Sequence, residues 1–382
     1  MRRLPVERDP RRPLDPPPAL RGLPPMTRLE MADGHLGWLA TTLDAARAVL
    51  GDPRFSARQE LKHPAVRSSA AVAGPGRPAP PGFFATTDPP EHTRYRRLLT
   101  GEFTLRRMRL LEPRIERIAA DHLDAMAAAE PPADLVTAYA LPIPSMVICE
   151  LLGVPYADHD FFQERSRELV APDGDVAGAN ADLHAYLAEL VRRKRAEPGD
   201  DLISGLTGEL TDDAELANVA MILLVAGHET TANMLALGVL ALLTAGLTYE
   251  EGAEEELLRW LSILHLGAPS RAALEDVEVA GVRVAKGETV AVSLPVVNRD
   301  PAAFAAPDTL DPARPDARRH LAFGHGVHQC LGQQLARNEL RIGYRALFDR
   351  FPGLRLAVPV TEVPLRQDAV VFGVGSLPVT WG

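Results

Sequence analysis

From residue 91 to residue 245 the sequence reads as a nearly continuous succession of helical periods, and this stretch restricts the fold more than any other. Apolar residues recur at three- and four-residue spacing over 91–100, 104–129, 135–152, 158–171, 177–195 and 200–207, and a longer pattern covers 212–245. Ahead of it, 36–41 reads as a short strand and 42–50 as a helix with Thr42 and Asp44 near its start. Behind it, helical character persists to about Trp260. Residues 277–280, 282–284 and 289–294 then read as short strands with turns at Gly281 and Gly287. The stretch 299–326 is irregular and proline-rich, 331–350 is helical, and short strands close the chain. No internal repeat is visible. The expected class is mainly α with small β-sheets.

Composition sets the limits. A chain of 382 residues, 46% hydrophobic, can bury a large core as one domain, 1–382, with residues 1–25 as a proline-rich lead. Cys149 and Cys330 are the two cysteines, far apart and in unlike contexts, which excludes a disulfide framework and favours a reducing cytoplasm. No zinc-type ligand spacing is seen along the chain. Met1-Arg2-Arg3-Leu4-Pro5 leads into prolines rather than an apolar run, so neither signal peptide nor anchor is expected. No uninterrupted apolar run reaches bilayer length, so no membrane is expected as a partner. A net charge of −10 argues against nucleic acid. The local cluster Arg94, Arg96, Arg97, Arg106, Arg107 and Arg109 suits an acidic protein partner instead.

Two segments carry chemistry. Phe323-Gly324-His325-Gly326-Val327-His328-Gln329-Cys330-Leu331-Gly332 places one cysteine at the end of a glycine-punctuated loop, directly before a helix-forming run. Gly324 and Gly326 permit backbone conformations closed to other residues, and Gly332 lets the helix lie against a flat group. A thiolate at Cys330 would be stabilised by backbone N–H groups and the positive helix end. A lone cysteine is more often an ordinary buried residue, but this pattern is far more specific than a cysteine. The second segment, Met221 to Asn233, is apolar until Glu229, Thr230 and Thr231. Helical spacing puts Ile222, Val225, Ala226, Glu229 and Thr230 on one face. A buried carboxylate needs a partner or a proton-transfer task, and a Thr230 hydroxyl bonded to the Ala226 carbonyl would open the helix locally.

These segments resemble the haem-binding loop and the acid–alcohol helix of the cytochrome P-450 family, soluble actinobacterial type, and the resemblance runs from Asp52-Pro53-Arg54-Phe55-Ser56 to Leu377-Pro378-Val379-Thr380-Trp381. It implies a single-domain fold holding haem b between the acid–alcohol helix and the helix after the cysteine loop. Cys330 becomes the iron ligand, Glu229 and Thr230 deliver protons to dioxygen, and Ala226 and Gly227 leave room for it. His92, Arg96, Arg271 and His328, with a lesser place for His320, become donors to the haem propionates. Phe323 and Gly332 become haem contacts. Glu256 and Arg259 form the family's buried Glu-x-x-Arg pair on the cysteine side. Two departures stand out: Thr309 lies where relatives place a further arginine, with Arg314 nearby as a substitute, and the interval 243–256 is one helix short.

The resemblance implies a monooxygenase that inserts one oxygen atom into a hydrophobic small molecule, by hydroxylation or epoxidation, in secondary-metabolite biosynthesis. Electrons would come from NAD(P)H through a separate ferredoxin and ferredoxin reductase, entering near Arg96, Arg97, Arg106, Arg107 and Arg337. Substrate identity, free or carrier-bound, is expected to reside in 57–86, 158–186, 266–268 and 370–374. Phe83, Phe84, Ile222, Val225, Gly267, Ala268, Val371 and Phe372 are the expected lining residues. The rival is a haem-thiolate sensor or scaffold without turnover, which has no need of Glu229 and Thr230. A zinc or iron–sulfur protein is a poor third reading, because the extra cysteines it needs are missing.

Overall fold

The computed structural model describes residues 3–66, 77–170 and 174–382, and the side chains of residues 167, 169 and 170 are not described. Its helices are α1 (Leu43–Gly51), α2 (Glu91–Thr100), α3 (Leu105–Ala128), α4 (Pro142–Leu152), α5 (His159–Val170), α6 (Val176–Ala196), α7 (Leu202–Leu206), α8 (Asp213–Ala245), α9 (Ala253–Leu261), α10 (Leu294–Val297) and α11 (Gln333–Arg350). Their starts follow side-chain chemistry. Thr42, Thr104, Asp201 and Asp212 accept N–H groups two or three residues ahead, at the first turns of α1, α3, α7 and α8. Gly153 and Gly246, with φ of 70° and 67°, close α4 and α8 in the left-handed region. The pattern at 135–152 is not one helix. Val136–Ala140 forms a π turn closed by the Leu141 N–H on the Val136 carbonyl, and α4 begins at Pro142, which has no N–H to give.

At about 50 Å, α8 spans the domain. Among the described residues it is the one helix long and apolar enough to cross a membrane, but α4, α6, α9 and α11 pack around it and it forms the centre of the helical core. The link from α8 to α9 is residues 246–252 and contains no helix, which realises the short interval read from the sequence.

Among the described residues, three small sheets complete the fold. The largest runs β1 (Met26–Glu30), β2 (Leu36–Ala40), β8 (Thr289–Val292), β5 (Ser270–Ala273), β3 (Phe55–Ser56), numbered in chain order. β2 and β8 are parallel with Trp38 opposite Val290, and the other pairs are antiparallel. β6 (Val277–Val279) and β7 (Val282–Val284) form a hairpin. β4 (Ala133–Asp134), β10 (Pro378–Thr380) and β9 (Arg355–Leu356) form a third sheet. β1 and β5 have no counterpart in the sequence expectation, and the strand expected at 289–294 ends at Val292 because Pro295 enters the first turn of α10. The proline-rich lead is packed into the domain. Leu4 and Leu20 join Leu29, Met31, Leu39 and Ala291 in one apolar cluster, and Arg299 donates to buried Asp15 at 2.7 Å.

Candidate active site

The cysteine loop is shaped by its glycines. Gly324 and Gly326 have φ of 71° and 75°, and a side chain at Gly326 would place its Cβ 2.5 Å from the Leu50 carbonyl. The Cys330 N–H donates to the Phe323 carbonyl at 2.9 Å, closing the loop two residues before Gly332 leads into α11. Cys330 is exposed, yet desolvation raises its thiol above the ordinary range, opposed by a Gly332 N–H and by the charges of Arg96 and Arg337. Those two facts agree if the sulfur looks into a narrow cleft rather than bulk water. Cys149 differs: it is sealed in the core, its thiol pushed far up by burial.

The opposite wall is α8. Along this otherwise buried helix Val225 is 41% exposed and Ala226 is exposed, between buried Leu223, Leu224 and His228. The Thr230 hydroxyl donates to the Ala226 carbonyl at 2.7 Å, the bond expected from the sequence. Glu229 pairs with Arg366 at 2.9 Å, yet burial outweighs that cation and its carboxyl stays above the ordinary range. Asn233 donates to the Glu229 carbonyl, and Gly373 lies so close to Asn233 that a Cβ there would overlap its side-chain oxygen. Arg366 and Gly373 carry no motif and were not read from the sequence. A Cβ at Gly227 would sit 3.6 Å from Ile148, so its missing side chain faces the neighbouring α4.

Two glycines tie the walls together further along. Tyr344 of α11 donates to the Met234 carbonyl at 2.5 Å, with its hydroxyl where a Cβ on Gly238 would lie, and a Cβ on Gly343 would come 2.8 Å from a Leu235 methyl group. One turn nearer the cleft, the Glu339 carboxyl bonds Thr231; burial pushes it up to about 8, so it is mostly protonated at neutral pH. From that tie, side chains toward Ala226 and toward Cys330 become exposed again, and a cleft opens between them.

Basic residues gather beside the cysteine loop. The rings of His92 and His328 lie 4.0 Å apart, Arg96 donates to the Gln329 carbonyl at 3.0 Å, and Arg271 on β5 donates to its neighbour Ser270 at 2.9 Å. Lys62, which the sequence did not single out, joins them. Burial, against the pull of Asp88, lowers Arg271 to about 10, and burial followed by repulsion from neighbouring cations lowers Lys62 to about 8, His92 to about 4 and His328 to about 3. At neutral pH the histidines are therefore neutral donors and Arg96, Arg271 and Lys62 are the cations. Nearby Asp88 is engaged by Ser56 at 2.5 Å and the Ala57 N–H at 2.8 Å. A cavity of about 770 Å³, lined in part by Leu50, Phe55, Thr87, Arg271 and His328, reaches this cluster.

Behind the loop lies an ion-pair network. Arg259 and Glu256, essentially unexposed, form a two-pronged pair at 2.6 and 2.7 Å. Arg314 adds a second cation at 3.1 Å from Glu256, so it supplies the arginine missing at Thr309, whose carbonyl accepts from both guanidinium groups. Glu255 binds Arg337 at 2.6 Å and His320 at 3.1 Å. His320 thus belongs to the cysteine side and not to the basic cluster, and Arg337, stacked 4.5 Å from the Phe323 ring centroid, is not a free docking cation. Arg94 pairs with Glu215, and Arg107 with Glu102 and Asp200.

Among the expected lining residues, Ile222 and Phe83 are half-buried and Val225 is exposed. Phe84 and Phe372 are corrected to core positions: Phe84 packs near Tyr95, and Phe372 is fully buried under the Arg8 guanidinium, 3.7 Å from its ring. Val371 is buried too. Gly267 packs with φ of 73° against Ala65, beside half-buried Ala268. Of the segments expected to read the substrate, 67–76 and 171–173 lie outside the described residues.

The chain is 50% identical to cytochrome P450 105C1 of a Streptomyces species, over 95% of this chain and 94% of that one. It belongs to the cytochrome P450 family. The family model for cytochrome P450 matches residues 245–377. Pentalenic acid synthase of Streptomyces avermitilis is 48% identical over 97% of this P450 and 95% of its own length. The solved structure of Streptomyces peucetius CYP105P2 with a biphenyl compound superposes with a TM-score of 0.90 at 43% identity, covering 99% of both chains. This P450 is thus an oxygen-incorporating oxidoreductase, a monooxygenase that uses haem, an external electron supply and a small-molecule substrate. The residues in place fit haem: a cleft-facing cysteine on one side, and beside it one buried and two half-buried cations, Arg271, Arg96 and Lys62, whose neighbouring acid Asp88 is already engaged, suited to two carboxylates. Gly332, whose φ of −82° suits any residue and whose Cβ would approach nothing nearer than 4.0 Å, leaves a flat surface there.

Proposed function

We propose that this P450 binds haem b through the Cys330 sulfur and hydroxylates or epoxidises a hydrophobic secondary metabolite in the cytoplasm, with electrons from NAD(P)H relayed by a ferredoxin reductase and a ferredoxin. Haem, when bound, supplies the redox chemistry that cleaves dioxygen and transfers one oxygen atom. The chain supplies the rest. Arg96, Arg271 and Lys62 neutralise the two propionates while His92 and His328 donate hydrogen bonds. Phe323, Gly332 and Ala226 would border the ring, whereas Gly227, whose open side faces α4, would not.

Glu229 and Thr230 move protons. The Thr230 hydroxyl takes the Ala226 carbonyl that would otherwise serve the helix ladder alone, which loosens α8 beside the cleft and gives water a foothold. Glu229, its carboxyl raised by burial against the pull of Arg366, holds a proton more readily than a solvated carboxylate and so has one to pass on. The observation that carries the reading is this acid–alcohol pair beside the exposed Val225–Ala226 step of an otherwise buried helix.

The ferredoxin site narrows to Arg97, Arg106 and Arg109. Within the Arg94–Arg109 cluster these are the exposed arginines without an acidic partner among the described residues, and on α3 the last two flank exposed Leu105 and Leu110, the mixture of cation and apolar surface that a protein partner buries. Ile222, Val225, Phe83 and Ala268 are the proposed substrate contacts. Titrating the ferric protein with a panel of terpenoids, polyketides and peptides tests the pocket. A saturable high-spin shift of the Soret band names the substrate class, whereas no shift across a broad panel counts against a free hydrophobic substrate.

A further inference from the structure

Away from the haem site, two side chains of one turn and a third from 30 residues on converge on one point. The turn between β1 and β2 is held by the Met31 N–H on the His35 carbonyl and the Gly34 N–H on the Met31 carbonyl, with Gly34 at φ 90°. This presents Asp33 and His35 side by side. His63 arrives from another segment, pinned on both sides. Its N–H donates to the Thr289 hydroxyl at 2.9 Å, and the Ala32 N–H donates to the Pro64 carbonyl at 2.8 Å. The result is a stack of two imidazoles, ring centroids 3.8 Å apart, over one carboxylate. The Nδ1 atoms of His63 and His35 lie 2.7 and 3.3 Å from the two oxygens of Asp33.

We propose that Asp33, His35 and His63 form a binding site for a divalent transition cation of the zinc type, with solvent completing its coordination. One ligand atom from each residue lies within 4.8 Å of the others, and among the described residues no other trio of histidine, cysteine or acid does so. Zinc–nitrogen and zinc–oxygen bonds of about 2.0–2.2 Å in a tetrahedron put donors about 3.3 Å apart. The His35–Asp33 separation already has that value, and the His63–Asp33 pair needs to open by about half an ångström, which partly exposed side chains can do. Two imidazoles with one carboxylate suit zinc and its neighbours better than magnesium or calcium, which prefer oxygen. Asp33 carries its negative charge at neutral pH, its carboxyl held below the ordinary range by hydrogen bonds from His63 and the His35 backbone despite some desolvation.

A bound cation takes up the Nδ1 lone pairs that now face Asp33, and because metal ligation competes with protons for the same donors, binding weakens in acid. It also cross-links the β1–β2 turn to the segment ending at His63, whose preceding residue is Lys62 of the basic cluster. The metal therefore sits at the outer end of a strut whose inner end faces the haem anchors.

The test uses the haem-loaded, chelator-treated full chain and zinc ion alone, by isothermal titration in a non-chelating buffer near pH 7.5. The expected result is one saturable equivalent, with binding weakened about tenfold or more, a loss of about 1.4 kcal/mol or more, in each of His35→Ala, His63→Ala and Asp33→Asn. An unchanged Soret spectrum in each variant shows that the fold is intact. If the wild type takes up no zinc, or the variants bind it as tightly, the trio is only a hydrogen-bonded staple of the turn and the proposal is wrong.

Discussion

Replacing Arg271 with methionine should move two stabilities in opposite directions. Arg271 is 6% exposed and donates to one carbonyl, and burial outweighs the attraction of Asp88 so that its pKa falls to about 10. Each pH unit of that fall corresponds to about 1.4 kcal/mol, so keeping the guanidinium charged costs the haem-free fold about 3 kcal/mol. The sign is clear at pH 7: the group is charged both folded and unfolded, well below either pKa, and the cost is fully present. Methionine keeps the length, removes the charge and gives up a hydrogen bond worth about 1 kcal/mol. The haem-free variant should therefore be about 2 kcal/mol more stable in urea unfolding. The loaded variant should lose haem faster to excess apomyoglobin, because one propionate has lost its cation. A haem-free variant less stable than wild type would refute the premise that this charge is stored at a cost, and unchanged haem loss would remove Arg271 from the anchors.

Other outcomes follow from the same geometry. Thr230→Ala removes the bond to Ala226 and should leave NAD(P)H consumption near normal while product per electron pair falls; unaltered coupling would take the hydroxyl out of the relay. Arg366→Met deprives Glu229 of its cation, so the carboxyl, already raised, should titrate higher still and carry the acidic limb of the kcat/KM profile to higher pH. A limb that stays put would mean another group sets it. Reversing Arg97, Arg106 and Arg109 to glutamate should slow reduction by an acidic ferredoxin at low salt, with the deficit shrinking as salt rises. Equal rates at all salt concentrations would place docking elsewhere.

Much of the helical frame was legible because it is written in apolar periodicity: α2, α3 and α8 start and stop within a residue of their expected bounds. The Glu256–Arg259 pair was legible because both partners sit three apart on one helix. Arg314 remained ambiguous because its partner is 58 residues away, and remoteness in sequence likewise hid Lys62, Arg366, Glu339 and the approach of His63 to Asp33. Strands β1 and β5 escaped because four or five residues offer little pattern and their pairing partners are remote. Apolar character could not tell Phe372, sealed beneath Arg8, from Val225, which borders the cleft. Prolines masked the lead, where Leu4, Leu14 and Leu20 are too irregularly spaced to betray that they are core.

Gly238 and Gly343 act as the hinge pin of a pair of calipers. The spacing between the jaws at Ala226 and Cys330 is gauged there, several helical turns away, by how closely two backbones and one tyrosine hydroxyl can meet. Because that gauge is made of glycine and not of the lining residues, substitutions at Ile222 or Val225 can resize what the jaws grip without changing how far apart they are set. A methyl group on Gly238 would collide with the Tyr344 hydroxyl and cost the bond to Met234, so variation in substrate and variation in frame are kept in separate parts of the same two helices.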